Sequence, residues 1–180
     1  MSDWTIEPFE SLGALRFGMR KGEAQQVLGE PPKEFHKGFS ENVTEAYNGT
    51  GVHVYYDADA TVEFIEVFPP SRPTFRGIDL MRPDAAAVIA DLAKLGLTVR
   101  DDGEGGLWFD KEGFSLFAPA GKTEGVSVFR RGYDTGAQRL IPQSAGRGQP
   151  VAAYLRASIR LVGILRGPSQ AIFTPWSWIS

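Results

Sequence analysis

Residues 15–20 read LRFGMR and lead into EAQQVLG at residues 23–29, and about 64 residues later IDLMR at residues 78–82 leads into DAAAVIADL at residues 84–92. In both segments an extended apolar entry passes through a Met-Arg pair into apolar residues at three- and four-residue spacing, which is typical of a short amphipathic helix. Runs of β-forming residues separated by turn residues follow each helix. The sequence therefore predicts an α+β fold with two repeated units, each a short helix packed on an antiparallel β-meander.

The first unit is expected to span residues 1–70. Its helix ends where Gly29 can adopt the left-handed cap and the two prolines that follow cannot continue a helix. Val27 and Leu28 are expected to be buried. Residues 33–41 are polar and are interpreted as a connection. Strands are predicted at residues 44–47, 52–56 and 61–68.

The second unit is expected to span residues 71–134. Its helix runs from about residue 83 to residue 95, with Val88, Ile89 and Leu92 in one apolar stripe that faces the core. Glycine-rich turns separate the strands that follow. These strands are predicted at residues 98–100, 107–109, 114–117 and 126–130.

The composition is that of a folded soluble protein, because 180 residues with 42% hydrophobic content suffice for a buried core. The absence of cysteine excludes disulfides, cysteine-based zinc sites and cysteine nucleophiles. The N-terminus lacks the basic start and apolar run of a secretory signal, and no stretch reaches the ~18 apolar residues that a membrane-spanning helix needs. These features favour a cytoplasmic location.

Charge divides the chain after Asp134. Residues 1–134 contain all 22 acidic residues and 14 of the 19 Lys and Arg, which gives this segment a net charge of −8. Residues 135–180 carry five Arg and no acid. An acidic body repels nucleic acid and attracts a basic partner. Residues 135–180 are predicted to form a linker and a basic, partly helical or disordered tail that the body does not need for folding. The alternative is an arm that docks on a membrane or a partner.

A family resemblance is carried by residues 15–19 together with Glu23, Leu28, Gly29 and Pro31. This segment resembles small bacterial α+β proteins in which a helix lies on a short antiparallel meander, including immunity proteins of polymorphic toxin systems. Doubling of the unit resembles the β-lactamase-inhibitor-protein architecture, in which two units present a continuous sheet surface to a partner enzyme. The resemblance covers roughly residues 4–133 and implies protein binding, and no functional residue is carried over from it.

Patterns of catalytic or metal-binding residues do not stand out in the sequence. His36 and His53 have no second ligand at helix or strand spacing. The acids at residues 101–104 do not alternate as calcium ligands do, and the neighbouring glycines lack the lysine and the helix of a phosphate loop. We therefore predict no catalytic residue, no metal site and no cofactor, which favours a protein that is not an enzyme.

Aromatic residues on the predicted strands are the remaining signal. Adjacent aromatic residues in a strand point to opposite faces of the sheet, so the outward ones either pack against a second layer or form a recognition face with acidic neighbours. The predicted partner-binding residues are Glu45, Tyr47, Tyr55, Glu63 and Trp108.

The favoured function is a non-enzymatic protein-binding module, an immunity or inhibitor protein that sequesters a basic toxin or enzyme. Two alternatives stay open. One is an enzyme or small-ligand binder with a pocket between the repeats, and the other is a peripheral membrane protein that uses the basic tail. Nucleic acid is not an expected partner, and the sequence does not determine the oligomeric state.

Overall fold

The computed structural model describes residues 3–36 and 42–133. Over these residues the chain combines helices and mostly antiparallel strands, which confirms the α+β class. The helices are α1 (Lys21–Leu28) and α2 (Ala85–Lys94). The strands are β1 (Ile6–Glu7), β2 (Ser11–Leu12), β3 (Leu15–Arg16), β4 (Lys33–His36), β5 (Val43–Tyr47), β6 (Val52–Tyr56), β7 (Val62–Val67), β8 (Thr74–Phe75), β9 (Ile78–Asp79), β10 (Arg100–Asp101), β11 (Gly106–Phe109), β12 (Phe114–Phe117) and β13 (Gly125–Phe129). Neither described helix is long and apolar enough to cross a membrane.

Eight strands form one antiparallel sheet in the order β10-β11-β12-β13-β7-β6-β5-β4. Strands β4 to β7 make one four-stranded meander and β10 to β13 make another. The pairing of β7 with β13, in which Val67 lies opposite Val126, joins the two meanders edge to edge. A helix followed by four sheet strands thus occurs twice along the chain, and the origin of the two stretches as copies of one unit stays a prediction.

One face of this sheet, which we call the first face, carries the main core. An apolar row of successive register partners crosses it, consisting of Val54, Ile65, Val128 and Phe114. Ala24 of α1 and Val88 and Leu92 of α2 are buried in the same core. Both helices therefore pack on the first face, where each fully buried large aliphatic or aromatic side chain contributes roughly 1.5–3 kcal/mol.

The side of helix α1 that faces the sheet differs from the side that hydrophobic spacing in the sequence predicts. The inward positions follow the i, i+3, i+4, i+7 spacing of a helix face and are occupied by Lys21, Ala24, Gln25 and Leu28. Ala24 is fully buried and Leu28 packs against the core. Val27 is 40% exposed, so its predicted burial is wrong. Two of the four inward positions are polar, which hides this face from a reading based on hydrophobic periodicity.

The helix ends follow capping chemistry. Gly29 caps α1 with a φ of 67°, the left-handed conformation expected for it. The Asp84 carboxylate accepts a hydrogen bond from the Ala87 amide at 3.2 Å, so α2 begins at Ala85, two residues later than predicted from the proline. Val88 and Leu92 are buried as expected, whereas Ile89 is half-buried.

Two strands differ from the sequence interpretation. β4 lies within the segment interpreted as a polar connection and pairs with β5 at the edge of the sheet. Its mostly exposed, charged residues suit an edge strand, which has one neighbour and uses charge to discourage further pairing. β10 begins at Arg100, so the strand predicted at 98–100 is displaced. The predicted linker and tail at 135–180 lie outside the described residues.

Candidate recognition face

The opposite face of the sheet, which we call the second face, carries a continuous row of register partners across all eight strands. In order from β4 to β10, the row consists of Lys33, Ala46, His53, Glu66, Ser127, Ser115, Trp108 and Arg100. Paired residues of adjacent strands point to the same side, so these side chains form one line. We call its central part, His53, Glu66, Ser127 and Ser115, the polar row. It crosses the junction of β7 and β13 and takes two residues from each meander.

The polar row is buried, with each of its four residues at most 1% exposed. Beside it, Phe64, Trp108 and Phe129 form a second buried cluster. Phe9, Tyr55 and Tyr133 pack against this cluster. The second face is therefore enclosed like a core, although α1 and α2 both lie on the first face.

Hydrogen bonding within the polar row is incomplete among the described residues. The Tyr55 hydroxyl donates to Oε2 of Glu66. Nδ1 of His53 lies 3.7 Å from the same carboxylate oxygen, which is too far for a hydrogen bond. In the described part of the chain, His53 Nδ1 and the hydroxyls of Ser115 and Ser127 have no partner. A buried polar group without a partner costs about 1–3 kcal/mol, so a covering layer that supplies partners would be stabilised here.

The imidazole of His53 is held by aromatic side chains rather than by polar ones. Its ring centroid lies 5.5 Å from that of Phe35 and 5.0 Å from that of Phe68. These contacts fix the ring at one end of the polar row. The row thus offers a carboxylate, an imidazole nitrogen and two hydroxyls in fixed positions, a set suited to hydrogen bonding with a polar or cationic group.

Glu45, a predicted partner-binding residue, is instead part of a buried network on the first face. Tyr47 and Tyr56 donate their hydroxyls to its Oε2 at 2.7 and 2.6 Å, and the amide of Gln25 donates to its Oε1 at 2.6 Å. Lys21 places its ammonium 3.4 Å from Oε1. This network binds α1 to the sheet, and it accounts for the two polar positions on the inward side of that helix.

The electrostatics of this network favour the charged form of Glu45. Burial by itself raises the pKa of the carboxyl, but the hydrogen bonds from Tyr56, Tyr47 and Gln25, with the Lys21 charge, bring its pKa below the ordinary value. Burial and the neighbouring carboxylate raise the pKa values of both tyrosines. Glu45 is therefore an ionised acceptor and the tyrosines are neutral donors, as the geometry requires.

Glu63, also predicted to bind a partner, belongs to an ion-pair network at the end of the sheet. Arg130 places Nη1 2.6 Å from Oδ2 of Asp57 and Nη2 3.2 Å from Oε2 of Glu63. Burial raises the pKa of Glu63, and Arg130 opposes that shift. Because Arg130 follows β13, whereas Asp57 follows β6 and Glu63 lies in β7, this network links the two meanders.

The five predicted partner-binding residues do not form one site. Glu45 and Tyr47 meet on the first face beneath α1, Tyr55 and Trp108 lie on the second face, and Glu63 binds Arg130. Their burial means that Glu45, Tyr47 and Trp108 are not freely exposed. The prediction of a single exposed acidic and aromatic surface is thus not met by the positions of these side chains.

The sequence interpretation missed the polar row itself. Its members are polar residues in the middle of otherwise apolar strand segments, such as His53 in β6 and Ser127 in β13. Each looks unremarkable alone. The signal that could have found them is one such residue on each of four strands, which the sheet order then brings into line.

The acidic excess of the body lies mainly inside the fold. In residues 3–36 and 42–133, exposed acidic and basic side chains are equal in number, ten of each. The remaining acids are half-buried or buried, and several accept hydrogen bonds from turn amides. Glu30 accepts from the amides of Gly49 and Thr50, and Asp102 accepts from those of Glu104 and Gly106. Much of the negative charge therefore stabilises turns rather than forming an exposed acidic field.

No protein-family model, curated protein or solved structure matches this chain. Within the described ranges, no group of three or more His, Asp or Glu side chains is arranged to hold a metal ion.

Proposed function

We propose that this protein is a non-enzymatic protein-binding module that takes up a basic segment of a partner on the second face, as an immunity or inhibitor protein would. The observation that carries the proposal is the character of this face, on which an aromatic cluster borders a line of polar groups while both described helices lie elsewhere. Aromatic residues are the commonest anchors of protein interfaces.

The polar row supports a partner with a basic side chain. Glu66 is the one carboxylate among its four residues, and hydroxyls lie next to it along the row. A guanidinium or ammonium placed against Glu66 would gain a charge-assisted hydrogen bond, which is roughly twice as strong as a neutral one. The serine hydroxyls and His53 Nδ1 would supply further contacts that favour one register of the bound segment.

The proposal also gives a role to the two helix-plus-meander stretches, which together form the wide sheet that would bind the partner. We infer that the two helix-plus-meander stretches are copies of one unit, because each has a helix followed by four antiparallel strands and the two meanders meet at β7 and β13. Joining two such units doubles the width of the sheet. Seven strand spacings of about 4.8 Å give a surface ~34 Å wide, enough for an extended or helical partner segment.

A matched pair of substitutions tests the proposal. Glu66→Gln and Glu45→Gln each neutralise a buried carboxylate that accepts tyrosine hydroxyls, but on opposite faces of the sheet. Proteins captured from a lysate of the source organism by the wild-type chain are identified by mass spectrometry, and their retention by each folded variant is measured. We expect Glu66→Gln to lose the partner and Glu45→Gln to retain it. Equal retention by the two variants would contradict a role for the second face.

The unpartnered polar atoms favour a second candidate, a small-ligand binder. Its site would lie where the meanders join, because His53 and Ser127 come from different meanders. A polar molecule there would complete the hydrogen bonds of the row. Native mass spectrometry of the purified chain checks this, because a bound compound adds its mass to the 19.7 kDa chain. A spectrum that contains the unmodified mass alone would count against it.

A further inference from the structure

The second face has a buried surface that the described helices do not cover. Ser115, Ser127 and Glu66 are as buried as the main core, yet α1 and α2 contribute their buried side chains to the first face. Exposure of a contiguous aromatic surface of this kind is unfavourable in a monomer. Phe9, Tyr55 and Tyr133 cover part of this surface. The rest of a covering layer would come from chain outside the described residues or from another molecule.

The described part of the chain ends on this face. The ring of Tyr133 stacks on Phe64 with a centroid distance of 4.6 Å and lies 6.0 Å from the ring of Phe129. Residues 134–180 follow directly. Because successive Cα atoms are 3.8 Å apart, the first of these residues start within a few ångströms of the aromatic cluster.

Residues 135–180 have a charge, an apolar pattern and a predicted helix length that suit the second face. Residues 135–180 carry five Arg and no acid, whereas Glu66 is the carboxylate in the middle of the polar row. Leu155, Ile159 and Val162 share one side of the helix predicted over residues 151–166. A helix of that length would be ~24 Å long. Crossing from β11 to β6 takes four strand spacings, ~19 Å.

We propose that residues 134–180 dock on the second face of their own chain, with apolar side chains on the aromatic cluster and an arginine against Glu66. This inference rests on the proposed function, since it treats the second face as a surface that binds a basic polypeptide segment. The segment then occupies the surface that a partner protein would bind. A basic partner protein must displace it, so partner capture and the internal contact exclude each other.

Paramagnetic labelling of the full chain tests the contact. The chain contains no cysteine, so Ser158→Cys accepts a single nitroxide label. The reporters are two indole N–H signals: Trp108 lies in the second-face cluster, and Trp4 packs against the first-face core. We expect the label to remove most of the Trp108 signal and to leave more of the Trp4 signal, with recovery when the nitroxide is reduced. Ser169→Cys repeats the measurement from another point of the segment.

A Trp108 signal that both labels leave intact would overturn the proposal. Signal loss between spin-labelled and isotope-labelled chains mixed in one sample would place a second copy on the face and also overturn it. The measurement uses no partner protein. A negative labelling result would therefore argue only against the internal contact. Equal partner retention by Glu66→Gln and Glu45→Gln would argue against the proposed function.

Discussion

Neutralising Glu45 should loosen α1 from the sheet. Its carboxylate accepts three side-chain hydrogen bonds in a fully buried position. Hydrogen bonds to charged groups contribute ~1.5–3 kcal/mol against ~0.5–1.5 kcal/mol for neutral ones, so Glu45→Gln weakens each by about 1 kcal/mol. The lower desolvation cost of the amide offsets part of this. We expect Glu45→Gln to lower the free energy of unfolding by ~1–3 kcal/mol, and Glu45→Ala by ~3–5 kcal/mol because buried donors then lack an acceptor.

Urea unfolding followed by circular dichroism measures this loss. Glu34→Gln is the matched control, because Glu34 binds the same Lys21 at 2.6 Å from an exposed position. Exposed ion pairs contribute ~0–1 kcal/mol, so the control should change little. Equal losses of the free energy of unfolding in Glu45→Gln and Glu34→Gln would contradict a stabilising role for the buried network.

The stability difference between the wild type and Glu45→Gln should depend on pH. The pKa of Glu45 is lowered in the folded state, so the stability that it contributes is present above its ordinary pKa of 4.5 and is lost as the pH falls through the folded value. The difference between wild type and Glu45→Gln should therefore shrink below about pH 4.5. A difference that stays constant down to pH 3 would show that the charge of Glu45 does not contribute.

Three further predictions concern the second face and the link between the meanders. Truncation after Tyr133 should expose the aromatic cluster, lower the melting temperature and reduce solubility, whereas an unchanged melting curve would favour a detachable tail. Trp108→Ala should lower the free energy of unfolding in urea by ~3–5 kcal/mol, whereas Leu95→Ala, at a 42% exposed position, should lower it far less. Similar losses in the two variants would place Trp108 outside a core. Arg130→Ala should raise the pKa of Glu63 further, because the guanidinium opposes the effect of burial; an NMR titration that shows no upward shift would contradict this.

Much of the fold was predictable because its strands carry local signals. Runs such as VHVYY in β6 and VEFIEV in β7 consist of β-forming residues, and glycine-containing turns separate the strands. The inward face of α1 and the edge strand β4 were not predictable in this way. Lys21 and Gln25 face the sheet because a buried carboxylate binds them, and β4 forms because β5 offers an unpaired edge. Both depend on contacts between distant residues.

The candidate site was harder to predict than the fold. Period-two alternation assigns residues to faces, but it does not show whether one face or both are enclosed, so Glu45 and Tyr47 were expected outside. Their acidity and aromaticity suggested recognition, whereas the structure makes them a network beneath α1. The polar row depends on the pairing of β7 with β13, which lie about 60 residues apart. Strand order of this kind is set by tertiary packing rather than by local sequence.

NMR mapping of a captured partner onto the full chain would locate the surface that binds it. We expect the added partner to shift the indole signal of Trp108 and the backbone amide signals of Ser115 and Ser127, which lie on the second face. Signals from Val27 and Leu95, the exposed apolar residues on and beside the helices, should stay in place. Shifts confined to Val27 and Leu95, with Trp108 and the two serines unchanged, would contradict recognition through the second face.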